Sequence, residues 1–186
     1  MVLSPLARST VCSAALTHTE MKHFKAPWGV PLIIMSALAS VICLAATILL
    51  WQPPTLAQIG HYSFWLRLLP LGLLTGCALF VVRGYTLTPD TLLIHRLFWA
   101  TRLPLADLQS AEFQPRAMRG SIRTFGNGGF FSFTGYYWSR ALGSYRAYVT
   151  DFERTAILRF PQRTIVLSPE PPEAFVQELS PHPRNA

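Results

Sequence analysis

The sequence predicts a membrane α-helical hairpin of two transmembrane helices, followed by a mainly-β domain of about seven antiparallel strands with a C-terminal capping helix. Three observations predict it. Two long apolar runs occupy the first half of the chain, between Trp28 and Trp51 and between Tyr62 and Val82. Beyond Arg83 they give way to short alternating stretches broken by Pro, Gly and Asp, the period-2 signature of strands. Near the end, Ser168-Pro169-Glu170-Pro171-Pro172-Glu173 precedes an apolar stripe of Phe175, Val176 and Leu179, a helix start with capping and acidic residues at the positive end of the dipole.

The first apolar run carries no charged residue. About 20 such residues, at 1.5 Å each, cover a ~30 Å hydrocarbon core. Trp28 and Trp51 bracket the run as interfacial aromatics do, and Pro31 falls where a missing N–H costs little. In the second run Tyr62 and Trp65 mark an interface, Arg67 can snorkel to the headgroups, and Pro70 can kink the helix. The expected hairpin covers 28–83, with spans at 29–51 and 62–82. The competing reading, two core helices of a soluble protein, fits poorly with runs of this length. Lys22, Lys25 and Arg83 flank the pair, and the loop between the runs has no Lys or Arg. The positive-inside rule then puts both termini, and the β domain, in the cytoplasm. Ser36-x-x-x-Ser40 and Gly72-x-x-x-Gly76 are small-residue faces that permit close helix approach. They either pack the two spans together or support a homodimer.

Charge and composition exclude several function classes. The formal net charge is +7, and Lys22 and Lys25 are the only lysines. A basic balance suits nucleic acid, an anionic membrane or topology signalling. From residue 84 on the chain holds Asp90, Asp107, Glu112, Asp151, Glu153, Glu170, Glu173 and Glu178 and no lysine, which argues against nucleic acid. Cys12, Cys43 and Cys77 form no C-x-x-C pair, and no histidine stands at ligand spacing to another ligand, so neither a metal site nor a cofactor is expected. No Ser/His/Asp order or phosphate loop occurs. Asp107 and Asp151 read as turn residues and His95 as a half-buried sheet residue, so no catalytic residue is expected and the protein reads as a non-enzyme. Residues 1–27 read as a disordered basic segment without the apolar core of a signal peptide, with Met21-Lys22-His23-Phe24-Lys25 resembling a natural start. Residues 181–186 read as a disordered tail.

Strands are expected at 85–88, 91–96, 97–105, 108–115, 144–150, 155–160 and 164–167. The region also carries an ordered set of motifs: Tyr85-Thr86-Leu87-Thr88-Pro89-Asp90-x-Leu92-x-Ile94, then Arg102-Leu103-Pro104-Leu105-Ala106-Asp107-Leu108, then Gly126-Asn127-Gly128-Gly129-Phe130-Phe131. Leu142-Gly143-x-Tyr145-Arg146-Ala147-Tyr148-Val149-Thr150-Asp151 and Thr164-Ile165-Val166-Leu167-Ser168-Pro169 follow. In this order they resemble the bacterial pleckstrin-homology-like (PH-like) domains of membrane-anchored proteins, over nearly all of 84–180. The resemblance implies a strongly bent seven-stranded barrel with a capping helix, in a protein of the bacterial inner (plasma) membrane. It implies no shared catalytic residues and no particular ligand, since folds of this kind host many functions.

One segment stands apart. Between Arg116 and Arg146 there is no acid, and arginines interleave with aromatics and glycines. The contact candidates are Arg119, Arg123, Phe125, Phe130, Phe131, Tyr136, Tyr137, Trp138 and Arg140. Three readings are open: the aromatics plug the barrel end; they dock on the membrane while the arginines meet anionic lipid headgroups; or they form a protein-protein surface. The function expected is a non-catalytic membrane-anchored module mediating protein assembly or contact with the anionic membrane surface. The alternative is an accessory or scaffold subunit of a larger membrane complex, bound through its hairpin.

Overall fold

The computed structural model describes residues 21–51 and 62–180. The expectations for 1–20, for the loop at 52–61 and for the tail at 181–186 lie outside the described residues. The chain begins with strand β1 (Lys22–Lys25), then helices α1 (Val30–Trp51) and α2 (Tyr62–Leu79). Nine strands follow: β2 (Gly84–Leu87), β3 (Thr91–His95), β4 (Ala100–Pro104), β5 (Ser110–Phe113), β6 (Ile122–Gly128), β7 (Phe133–Ser139), β8 (Gly143–Val149), β9 (Ala156–Phe160) and β10 (Arg163–Leu167). Helix α3 (Pro172–Leu179) closes the domain.

The strands make two sheets, ordered β1-β2-β3-β4 and β5-β9-β10-β8-β7-β6. This corrects the expected set of seven antiparallel strands. The glycine-rich segment forms the hairpin β6–β7, and β8 and β10 pair in parallel, because the tight β9–β10 hairpin returns the chain alongside β8.

Within the described residues the expected disorder is also corrected at 21–27: β1 pairs antiparallel with β2. Phe24 is the reason. It is buried in the first core, edge-on to Phe175 at 5.1 Å, while Lys22 Nζ reaches Glu178 at 2.6 Å. A four-residue strand with lysines at both ends shows little alternation to read.

Among the described residues one helix, α1, is long and apolar enough to cross a membrane; the apolar stretch Phe64–Leu79 of α2 is shorter. Ile33, Ile34, Leu38, Val41, Ile42 and Ile48 of α1 are all exposed, so most of this apolar surface is not covered by the protein itself. Helix α2 packs beside α1 and runs through Pro70. It ends at Leu79, short of the expected boundary at 82, because the chain there enters the sheet: Val82 is buried in the first core and the Arg83 N–H donates to His95 O at 2.9 Å.

Strand register sets where the helices meet the β domain. Lys25 pairs with Gly84, Gly84 with His95, and His95 with Ala100. These four residues therefore line one edge of the first sheet. The connections from β1 into α1 and from α2 into β2 leave from that edge, and the β3–β4 turn reverses there.

Two cores result. The first joins both sheets under α3, with Tyr85, Leu92, Ile94, Leu158, Leu167 and Phe175 at its centre. The second gathers Met118, Phe133, Tyr137, Tyr145 and Ile157 around Leu32 of α1. Polar groups tie the sheets together. The Tyr85 hydroxyl donates to Tyr148 O at 2.6 Å and accepts from the Ser168 N–H at 3.2 Å, and Ser168 Oγ accepts the Thr150 N–H at 2.8 Å.

Burial pushes the Tyr85 phenol up to about 12, against about 10 in an unfolded chain. The folded state therefore disfavours the phenolate. This stabilisation is complete below pH ~10 and is lost as pH rises towards 12. Tyr85→Phe is expected to cost about 1–3 kcal/mol at neutral pH by leaving its buried partners unpaired. It should also flatten the fall in stability between pH 10 and 12, as read by denaturant unfolding at several pH values.

Candidate functional site

The arginine-aromatic segment divides by register. In the β6–β7 hairpin Ile122 faces Trp138, Phe125 faces Tyr136 and Gly128 faces Phe133. Phe133 and Tyr137 turn inward to the second core. Phe125, 75% exposed, Tyr136 and Trp138 turn outward with Ile122. Both the plugging and the exposed readings thus describe part of the segment.

Glycine is required where the two strands approach most closely. Gly126 and Gly135 pair at φ 118° and 149°, and a Cβ on either would come within 2.4 Å and 2.2 Å of the opposite strand's carbonyl oxygens.

The hairpin's turn sits against the helices. Ser36, buried on α1, donates from Oγ to Gly129 O at 3.2 Å and accepts the Phe131 N–H at 3.0 Å. Phe131 holds a left-handed backbone, φ 60°, and its ring lies 6.2 Å from that of Trp28. The Ser132 hydroxyl donates to Phe80 O at 3.1 Å. Within the turn, Asn127 bonds both the N–H and the C=O of Phe130, and the Ser132 N–H donates to Phe130 O at 2.8 Å. The N–H groups of Gly129 to Ser132 and the carbonyls of Gly129 and Phe130 thus all find partners within the protein. A second close approach lies nearby: the Gly29 N–H donates to Thr150 O at 2.9 Å, and a Cβ on Gly29 would be 2.9 Å from Asp151 Oδ1.

This changes the reading of the small-residue faces. Ser36 was expected to pack helix on helix; it serves the β6–β7 turn instead, because the first turns of α1 are docked in the β domain. Ser40 Oγ bonds its own helix, at Ser36 O. Gly72 and Gly76 do not hold a close helix crossing, since a Cβ on either would meet nothing within 4 Å.

The arginines are dispersed. Arg116 pairs with Glu153 at 2.7 Å, whereas Arg119, Arg123 and Arg140 make no ion pair among the described residues. The Arg123 guanidinium lies over Gly128, so that a Cβ there would meet Nη1 at 2.2 Å. That brings Arg123 to the turn with Phe130 and Phe131. Arg140 and Trp138 are at the other end: β7 runs from Phe133 to Ser139, ~20 Å at 3.3 Å per residue.

A residue set that sequence reasoning missed lies at the same helix-facing edge. Arg96 is 7% exposed. Its Nη1–H donates to Phe80 O at 3.1 Å and its Nε–H to Thr101 Oγ1 at 3.3 Å. The guanidinium stands over the rings of Phe80, Trp99 and Tyr148, 5.3 to 5.9 Å from their centroids. Burial holds it below its ordinary value, and the ring faces replace part of the lost water. The available signal was Arg96 followed at once by Leu97-Phe98-Trp99, three large apolar residues where a turn must fall.

The fold, a mainly-β domain of two sheets with a C-terminal helix, fits the PH-like architecture. The family model for the bacterial PH domain matches residues 83–182. The chain belongs to this family. No curated protein and no solved structure matches it. The PH domain match begins at the start of β2, yet the folded unit reaches further back: Phe24 and Ala26 complete its first core and Leu32 its second. The helix-facing edge of this PH domain is built jointly by the matched residues and by the chain that precedes them.

Proposed function

We propose that the protein is a non-catalytic, membrane-anchored PH domain whose helix-facing edge contacts an anionic membrane surface. Both α1 and α2 lie in the bilayer in this reading, with the PH domain on the cytoplasmic side of a bacterial inner membrane. The orientation rests on Lys22, Lys25 and Arg83 flanking the helices. The observation that carries the reading is the docking of the β6–β7 turn on Ser36, six residues inside α1, about 1.7 helical turns. A helix that enters a bilayer with this turn attached carries the turn to the headgroup level. Non-helical backbone is tolerated at such depth only where protein satisfies its polar groups, and the N–H groups of Gly129 to Ser132 are all bonded within the protein. Phe125, Phe130, Phe131 and Arg123 are the contact residues of this reading, with Arg119, three residues before Ile122, as an outlying basic group beside them. Trp138 and Arg140, at the far end of the hairpin, are left out of it; Tyr137 belongs to the second core, and the outward Tyr136 ring stands under the Arg146 guanidinium. The non-catalytic part rests on membership of the PH domain family.

The test is hydrogen exchange on the full chain in bilayer discs of neutral or anionic lipid. Strand β6 is the outer strand of its sheet, so its outward N–H groups exchange fast unless covered. Slower exchange across 119–126 in anionic than in neutral discs is expected, reversed by high salt. Arg119→Glu with Arg123→Glu should abolish the difference, each arginine supplying about 1 kcal/mol near an anionic surface. Equal exchange in both lipids contradicts the reading.

A second reading, an accessory or scaffold subunit held through its helices in a larger membrane complex or homodimer, is favoured by the open Gly72-x-x-x-Gly76 face. Gly72→Leu with Gly76→Leu should then abolish cross-linking in membranes while leaving the lipid-dependent exchange intact.

A further inference from the structure

The β3–β4 turn is apolar, outward-facing and rigidly held. Phe98 is 77% exposed, Leu97 and Trp99 are exposed beside it, and no charged residue lies between Arg96 and Arg102. Tight turns ordinarily use Gly, Asn, Asp, Pro or Ser, so three large apolar residues there call for a physical reason. Looseness is not that reason. The Arg96 N–H donates to Trp99 O at 2.8 Å, and the buried Arg96 side chain ties the turn's base to Phe80 O. Phe80, the residue after α2, is itself exposed and stands edge-on to Trp99 at 5.4 Å. The apolar surface of α2 therefore continues onto the turn without a polar break.

We propose that Leu97 and Phe98 insert at the boundary between headgroups and acyl chains beside α2, with Trp99 at the interface, as a lipid contact separate from the β6–β7 turn. This rests on the reading that α1 and α2 lie in the bilayer. Lipid is the occupant the geometry favours. The turn shares one sheet edge with both helix connections. Its Trp suits the membrane interface. Its three side chains are far fewer than the 20–30 residues per partner of a standard protein interface.

The test uses the full chain with Cys12→Ser, Cys43→Ala and Cys77→Ala, carrying one fluorophore-labelled cysteine at a time. Phe98→Cys probes the turn, Ile42→Cys the exposed middle of α1, and Asp107→Cys the turn at the far end of β4. In phosphatidylcholine–phosphatidylglycerol vesicles, a lipid bearing a nitroxide near the top of its acyl chain should quench position 98, and one bearing it near the chain's end position 42, each several-fold more than 107. Quenching at 42 but not at 98 overturns the insertion and leaves the bilayer reading standing; a blue-shifted but unquenched label at 98 does the same and indicates a second protein copy over the turn. No quenching at 42 or 98 overturns both, and equal quenching at all three overturns a site at the turn. Should the cysteine-replaced chain fail to fold, Phe98→Trp in the native chain gives the same reading: it should add lipid-quenchable fluorescence, and an unquenched gain overturns the proposal.

Discussion

Leu32→Ala is expected to destabilise the β domain by about 2–5 kcal/mol, although Leu32 belongs to an apolar helix outside the family match. Leu32 is fully buried, packed in the second core with Met118, Phe133, Tyr137 and Ile157. Truncation leaves a cavity that the six-stranded sheet and a helix cannot easily collapse. The neighbouring exposed residue gives the control: Ile33→Ala, on the outward face of α1, should leave β-domain stability unchanged. Denaturant unfolding of the full chain in detergent, followed by near-ultraviolet circular dichroism of the core tyrosines, checks the pair. Equal effects at 32 and 33 would mean that α1 is not docked. By the same reasoning a fragment starting at residue 84 should not form the native domain, because Phe24, Ala26 and Leu32 are missing from its cores.

Phe175→Ala should cost about 3–5 kcal/mol, the range for a large aromatic removed from a closed core. Phe175 is fully buried, edge-on to Phe24 at 5.1 Å and 6.4 Å from Tyr85. It therefore joins three elements distant in sequence: β1, β2 and α3. Loss of its ring should release β1 as well as α3, so hydrogen exchange should accelerate at 22–25 and 172–179 together. Acceleration confined to α3 would show that β1 is held by its ladder and the Lys22–Glu178 pair alone. Phe175→Leu, which keeps most of the volume, should recover most of the stability.

What could be read from the chain, and what could not, follows from how strongly each element patterns its residues. The α1 run was legible because nothing interrupts it, and expected bounds of 29–51 became Val30–Trp51. Helix α3 was legible from its proline-rich start and its stripe of Phe175 and Leu179, both buried. Strands β2, β3, β9 and β10 were marked by alternation or by Pro-containing turns. Strands β6 and β7 were not: Gly126, Gly128 and Gly135 interrupt the pattern, although the close strand crossing there requires two of them. Strand β1 was hidden because one inward residue, Phe24, makes no period.

The candidate site was legible in composition and not in arrangement. Arginines and aromatics were visible between 116 and 146, but Trp138 and Arg140 fall at one end of the hairpin and Phe130 and Phe131 at the other. The partners of the turn could not be read at all. An apolar helix looks the same in sequence whether a given residue faces lipid or a protein core, so nothing marked Leu32 and Ser36 as the residues of α1 that join the β domain. The Arg96 cage was equally silent, since its three rings come from Phe80, Trp99 and Tyr148 on separate elements.

In the proposed arrangement α1 and α2 lie in a bilayer with the PH domain held against them. The most direct measurement is flotation of the full-length chain, made in bacterial cells, after the membranes have been washed with alkaline carbonate. A chain anchored as described stays with the lipid and rises with it through the density gradient, and Leu32→Ala rises too, because undocking the domain does not remove the helices. Release of the wild-type chain into the wash, or its sedimentation apart from lipid, would contradict the account.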